Sequence, residues 1–292
     1  MPELPEVETT IRGLRSNILG LKIKDVWTDF EKMVKRPISF KEFRKNLKGK
    51  EIKGIRRRGK NILIDLNGNK VLLVHQKMTG HLLFGKWVLK KGKWFSKIGG
   101  PLRDDSHNRF LHLIFFLEKN KHLALSDLRK FAKIEFWDKN KLENSENFKN
   151  LGPEPLEKTF TFSKFKQALG KRKKGNIKQV LMDQKIIAGI GNIYSDEILW
   201  EAKINPFRDV KILKEKELKE IYKAIKKILK KGIKVKGDSV SDYRKVDGTK
   251  GGFGILEKVY RKEGKKCKRC KGQIKRKKMG GRSTHFCPKC QK

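Results

Sequence analysis

The sequence predicts an α+β protein: an amino-terminal helix and β-sandwich, a helical second half, and a short cysteine-bearing hairpin at the carboxy terminus. Three observations carry this. Residues 22–138 are patterned like strands, residues beyond about 159 carry apolar side chains at three- and four-residue spacing, and all four cysteines fall in the last 26 of 292 residues.

The opening helix is marked by Leu4, Val7, Ile11, Leu14, Ile18 and Leu21, which form one apolar stripe. Pro5 sits where a first turn tolerates it, and Gly20 is a plausible stop. Glu3, Glu6 and Glu8 complement the helix dipole in the first turns, which accounts for an acidic start in a basic chain. It does not account for Pro2.

Strand-like runs follow at 22–30, 51–66, 70–84, 109–118 and 122–137, with Asn67-Gly68-Asn69 as a turn. "NLGPEPLEK" at 150–158 breaks the pattern with two prolines and a glycine and reads as a linker. The helical stretches "IKQVLMDQKIIAGIGNIYSDEILWEA" and "KELKEIYKAIKKILKKG" come next. The domain boundaries expected are 1–145, a linker at 146–158, 159–262, and 263–292.

Lysine and arginine number 74 against 32 acidic residues, a formal net charge of +42. Such an excess suits a polyanionic partner, although many of the lysines decorate solvated helix faces. No apolar run approaches the roughly 18 residues of a membrane span, and the start is unlike a signal peptide, so the chain is expected to stay in the cytoplasm.

"CKRC" at 267–270 and "CPKC" at 287–290 are 16 residues apart, spacing that brings four thiolates around one zinc. With Cys267, Cys270, Cys287 and Cys290 all ligating, no position is left for water, and the zinc is expected to be structural. Between the knuckles Gly280-Gly281 reads as a hairpin turn with Arg282 at its tip, a residue as readily solvated as functional. In "AGIGNIYSDEILW", Gly189 and Gly191 turn the chain and Asn192 is placed to cap the next helix. That amino terminus can receive a phosphate, but by itself the segment is better read as an ordinary helix–helix turn.

"PELPEVE", "LGPEPL", "MDQKIIAGIGNIYSDE" and the cysteine finger occur in this order, nearly end to end, and in this the chain resembles the formamidopyrimidine-DNA glycosylases. The resemblance implies a helix–two-turn–helix in the second domain and removal of oxidised purines from double-stranded DNA, with cleavage of the abasic site by β,δ-elimination. Once Met1 is removed, Pro2 would attack C1′ through its secondary amine and form a Schiff base. Glu3 would donate a proton to the sugar, with Glu6 either its partner or a surface acid.

Lys60 matches the lysine assigned to β-elimination, although a lysine on a strand is usually solvated. Arg282 matches the finger-tip arginine of δ-elimination. Met78, Arg129 and Phe131 resemble the set that fills the void left by a flipped base, the last two pointing the same way if the backbone is extended. By residue type alone, Met78 and Phe131 are better read as core. His75, His107, Asn192, Lys173 and Lys174 are the further DNA contacts implied, and DNA would lie in a basic cleft between the domains of a monomer.

The chain departs from the pattern at "HQKM", at Ala132 and at "KIGGPLRDD", and "SDYRKVDGTKGGFGILEKVY" occupies the place of a lesion-capping loop. Two other readings remain: the sister activity on oxidised pyrimidines, and a damaged-DNA-binding protein without catalysis. The latter has no need of a free secondary amine.

Overall fold

The computed structural model describes residues 1–172, 174–239 and 242–292. It divides into two compact units, Met1–Lys149 with Val235–Gly252, and Asn150–Lys234 with Phe253–Lys292. The α+β class holds, with helices and two principal sheets.

In the first unit helix α1 spans Leu4–Ile18, and the expected stripe is its buried face. Glu3 is the N-cap and forms a capping box with Glu6. Gly20, at φ 78°, follows the helix and turns the chain. The strands are β1 (Ile23–Thr28), β2 (Val34–Arg36), β3 (Ile52–Arg58), β4 (Asn61–Leu66), β5 (Lys70–His75), β6 (His81–Gly85), β7 (Trp87–Lys90), β8 (Lys93–Ser96), β9 (Leu111–Leu117), β10 (Lys121–Ser126) and β11 (Lys133–Asp138). One sheet has the order β1-β9-β10-β6 and the other β2-β11-β5-β4-β3. Val26, Leu82, Phe115 and Leu125 from the first sheet pack with Ile55, Ile64, Leu72 and Ile134 from the second, and with Val7, Ile11 and Leu14 of α1. This shared core is what makes the unit a sandwich.

Three of the expected strands are divided: 51–66 folds into the β3–β4 hairpin, and 70–84 and 122–137 each pass from one sheet to the other. β5 lies in one sheet and β6 in the other, and likewise β11 and β10. Since β5 pairs with β11 and β6 with β10, the two connecting corners, 76–80 and 127–132, are brought side by side. The β7–β8 hairpin has no counterpart in the sequence reading.

The sequence reading carried 159–262 as one helical domain, whereas residues 235–252 group with the first unit. Local bonds account for this. Asp238 donates its backbone N–H to Glu6 Oε1 at 2.7 Å, Tyr243 donates its hydroxyl to Glu6 O at 3.1 Å, and Phe84 N–H reaches Val246 O at 2.8 Å.

The second unit holds helices Phe162–Gly170, Ile177–Met182, Asn192–Glu201 and Glu215–Lys234, and a hairpin of β12 (Lys275–Met279) and β13 (Arg282–Phe286). The segment read as a linker is seated here: Gly152 N–H donates to Gln184 O at 2.8 Å and Ala188 N–H to Pro153 O at 3.1 Å. A Cβ on Gly152 would lie 2.5 Å from the Ile186 carbonyl, so only glycine fits this approach.

Candidate active site

The start of α1 gathers the chemistry that the sequence placed there. Pro2 is buried, and Glu3 and Glu6 are each 2% exposed. Glu3 N–H donates to Glu6 Oε2 at 2.8 Å while Glu6 Oε1 accepts from Asp238. Glu6 is therefore no surface acid, because both of its oxygens tie the helix start in place. Lys60 is not on a strand but in the β3–β4 turn, and it is buried at 6% exposure.

Burial lowers the proton affinity of the Met1 amino nitrogen, with Lys60 acting in the same direction and Glu3, Glu6 and Asp242 opposing. An uncharged amine at neutral pH is the nucleophilic form.

The sheet-crossing corners carry the next group. Met78 is 41% exposed and Phe131 is 52% exposed, so neither is a core residue. Arg129 and Phe131 do not lie in extended backbone: Lys130 between them has φ 55°. The corner is held by Asp127, which accepts Ala132 N–H at 2.7 Å and Arg129 N–H at 3.3 Å. The Arg129 guanidinium instead stacks over the Phe131 ring, 4.7 Å from its centroid, which keeps the two together.

His75 Nδ1 accepts Lys77 N–H at 3.0 Å. Burial, with Lys77, Lys133 and Lys60 nearby, holds His75 down to about 3. It is thus a neutral ring whose Nε2–H is its donor, suited to a phosphate oxygen without a charge of its own.

His107 sits among residues that no sequence signal marked. Arg244, 2% exposed, donates from Nε to Asp105 Oδ2 at 2.6 Å and from Nη2 to His107 Nδ1 at 2.9 Å. His107 Nδ1 also lies 3.2 Å from Asp105 Oδ1, and its Nε2 lies 3.4 Å from Asp242 Oδ1. Partial burial acts to raise Asp105, but the Arg244 and His107 hydrogen bonds outweigh it and hold the carboxyl at about 2. Arg244 and Asp242 belong to a glycine-rich loop whose composition gives no sign that an arginine is buried there.

In the second unit Asn192 is not a cap. Gly191 is the N-cap, and Asn192 is the first helical residue, its buried Oδ1 lacking a partner among the described residues. Gln184 holds the preceding turn instead, accepting Gly189 N–H and donating to Met182 O and Ile190 O, each at 2.8 Å. Asn192 and exposed Arg282 line one open cavity of about 540 Å³, together with Arg261, Arg276, Tyr260 and His285. Three arginines and a helix amino terminus suit an anion. Tyr260, Arg261 and Arg276 were not anticipated from the sequence. Lys174 is exposed, and Lys173 lies outside the described residues.

Beneath Arg282, Lys178 Nζ reaches Asp196 Oδ1 at 2.7 Å and Ser283 O and Thr284 Oγ1 at 3.0 Å. Asp196 Oδ2 also accepts His285 N–H at 2.9 Å. The hairpin is thereby keyed to the helices of its own unit.

Cys267, Cys270, Cys287 and Cys290 form the metal centre, with Sγ atoms all within 4.8 Å of one another. Four thiolates at tetrahedral positions about 2.3 Å from zinc would be about 3.8 Å apart, so the donor set fits that ion. The Trp200 indole N–H donates to Cys267 Sγ at 3.4 Å.

Family models match in the same order: the formamidopyrimidine-DNA glycosylase N-terminal domain over 1–134, its H2TH domain over 151–244, and the zinc finger found in FPG and IleRS over 264–292. The formamidopyrimidine-DNA glycosylase of Carboxydothermus hydrogenoformans is 44% identical over 292 residues, covering all of both chains. The chain belongs to the formamidopyrimidine-DNA glycosylase family.

The relative from Pelotomaculum thermopropionicum is 39% identical, covering this chain entirely and 99% of the other. Among solved structures, a complex of a Lactococcus lactis Fpg variant with DNA containing Fapy-dG matches at TM-score 0.87, with 34% identity and full coverage of both chains. A complex of the Lactococcus lactis Fpg with DNA containing an abasic site matches at 0.86, with 34% identity and 99% of each chain covered. The protein is accordingly an enzyme, a DNA glycosylase acting on damaged DNA in base excision repair, from a family that carries glycosylase and abasic-site lyase activity. Among the described residues no helix is long and apolar enough to cross a membrane.

Proposed function

We propose that the chain removes oxidised purines, 8-oxoguanine and formamidopyrimidines, from double-stranded DNA and cleaves the resulting abasic site by β,δ-elimination. The observation that carries this reading is the amino-terminal cluster: buried Pro2, with Glu3, Glu6 and Lys60 buried around a Met1 amine whose proton affinity burial lowers. Hydrolysis of the Met1–Pro2 amide carries the Met1 amine away and frees the Pro2 nitrogen as a secondary amine at the same buried helix start.

Its lone pair attacks C1′, the bond from C1′ to the base breaks, and the base leaves with the bonding pair and a proton. Glu3 protonates the sugar ring oxygen as the ring opens, leaving a C1′ iminium on Pro2. Lys60 assists loss of the C2′ proton, which expels the 3′ phosphate. A second elimination expels the 5′ phosphate, held by Arg282 and Asn192. Met78, Arg129 and Phe131 fill the void, while His75, His107, Lys173 and Lys174 contact phosphates. One zinc, held by the four cysteines, cross-links the two knuckles that carry the Arg282 hairpin and enters no chemical step. The enzyme would act as a monomer on chromosomal DNA in the cytoplasm.

Borohydride trapping on a duplex carrying a single 8-oxoguanine tests this. The expected result is a covalent adduct mapped to Pro2, absent from Met1-retaining protein and from Pro2→Gly. No adduct from Met1-free, zinc-loaded protein, on that lesion or on an abasic site, overturns the catalytic reading. Faster excision of an oxidised pyrimidine than of 8-oxoguanine overturns the substrate assignment alone.

A further inference from the structure

The corners at 76–80 and 127–132 are joined to the 245–249 turn by a chain of buried polar groups, all within the first unit. Asp127, 0% exposed, accepts the Thr79 hydroxyl, and Thr79 Oγ1 in turn accepts Arg129 N–H at 3.1 Å. His81 follows two residues later, with Nδ1 facing Thr79 O at 3.2 Å and Nε2 facing Asn108 Oδ1 at 3.0 Å. Asn108 spends its amide nitrogen on two carbonyls, Pro101 O at 2.7 Å and Gly248 O at 3.1 Å. That assignment fixes which way its carboxamide points. Gly248 has φ 80°, and a Cβ there would meet Asn108 Nδ2 at 2.8 Å and Leu102 N at 2.9 Å, so the turn lies flat on Asn108.

Both ring nitrogens of His81 therefore face acceptors. Burial, with the Arg244 charge nearby, holds the ring down to about 4, so at neutral pH it carries a single proton. On Nε2 that proton secures Asn108, and through it the Gly248 turn. On Nδ1 it secures the carbonyl of Thr79, next to Met78.

We propose that His81 and Asn108 are positioning residues that couple the 245–249 turn to the corners bearing Met78, Arg129 and Phe131, through an imidazole ring wedged between Asn108 and the Thr79 carbonyl. The coupling stands on geometry alone, whereas its consequence for excision rests on the void-filling role proposed above. A shift of the 245–249 turn moves Asn108, and with it the His81 ring and the Thr79 carbonyl beside the void.

Amide hydrogen exchange on the DNA-free protein tests the coupling, with Asn108→Ala and His81→Gln as variants. In Asn108→Ala, exchange is expected to rise at 245–250 and also at least fivefold at Gly80, Arg129 and Ala132, while the β9–β10 amides Leu113 and Leu125 keep their rates. His81→Gln retains a donor toward Asn108, so 245–250 stays protected while Gly80 and Arg129 loosen. A rise confined to 245–250, or an equal rise in the β9–β10 amides, overturns the proposal.

On the enzyme, Asn108→Ala is expected to lower kcat for 8-oxoguanine excision about tenfold with KM for the duplex changed less than threefold. A rise in KM with kcat intact overturns the catalytic consequence. Should the wild-type protein excise nothing, the functional reading fails, and the exchange pattern still decides the coupling.

Discussion

Lys178 and Asp196 form an ion pair at 2.7 Å with both side chains 1% exposed or less, directly beneath the hairpin that ends in Arg282. A buried pair adds little net stability when it replaces apolar packing, but removing one partner strands the other charge.

Lys178→Met is therefore expected to cost about 3–5 kcal/mol in urea unfolding. Adding Asp196→Leu to it should recover only part of this, because Asp196 also accepts His285 N–H. A cost of Lys178→Met below about 1 kcal/mol would show that the charge relaxes to solvent.

Gln76 has the opposite defect. It is 1% exposed, and neither its Nε2 nor its Oε1 has a partner among the described residues. An unmade buried hydrogen bond costs about 1–3 kcal/mol, so Gln76→Leu is expected to raise the unfolding midpoint. A lowered midpoint in calorimetry would show that the carboxamide is satisfied in solution.

Acid should destabilise the first unit well before its carboxylates titrate. His81 falls from an ordinary value near 6.5 to about 4 on folding, and His75 to about 3. The unfolded chain then binds more protons as pH drops through 6.5, so the stability is present above that pH and is lost below it. For His81 alone the slope is about 1.4 kcal/mol per pH unit between roughly 6 and 4. His81→Gln should flatten the dependence of unfolding free energy on pH across that window, and an unchanged slope would show that the ring is not buried neutral.

Removing the metal should act on the hairpin first. Elemental analysis is expected to find one zinc per chain, and thiol modification to release it in one step. Cys290→Ser, which leaves three thiolates, should release zinc faster to a chelator and weaken binding to abasic-site DNA, because the Arg282 hairpin loses its staple. Unaltered DNA affinity of the zinc-free protein would separate the finger from the anion cavity that Asn192 and Arg282 line.

What was readable along the chain was whatever depends on neighbours in sequence. The stripe from Leu4 to Ile18 follows from a helical period, and the metal centre from two Cys-x-x-Cys pairs. Pro2 and Glu3 were marked by their place in a motif, and the structure buries both. Tertiary structure decided the rest, because burial and partner choice are settled by groups distant in the chain. Arg129 and Phe131 face together through a corner held by Asp127 rather than by strand alternation. Asn192 leaves the capping position and turns to a cavity shared with Arg282, about ninety residues away. Glu6 became a structural tie only when Asp238, 232 residues on, offered its N–H. The sequence by itself determined the opening helix, the order of the motifs and the two cysteine pairs that the fold brings together. Only the fold could decide which polar groups lose water together, since that loss is what sets their protonation and their partners.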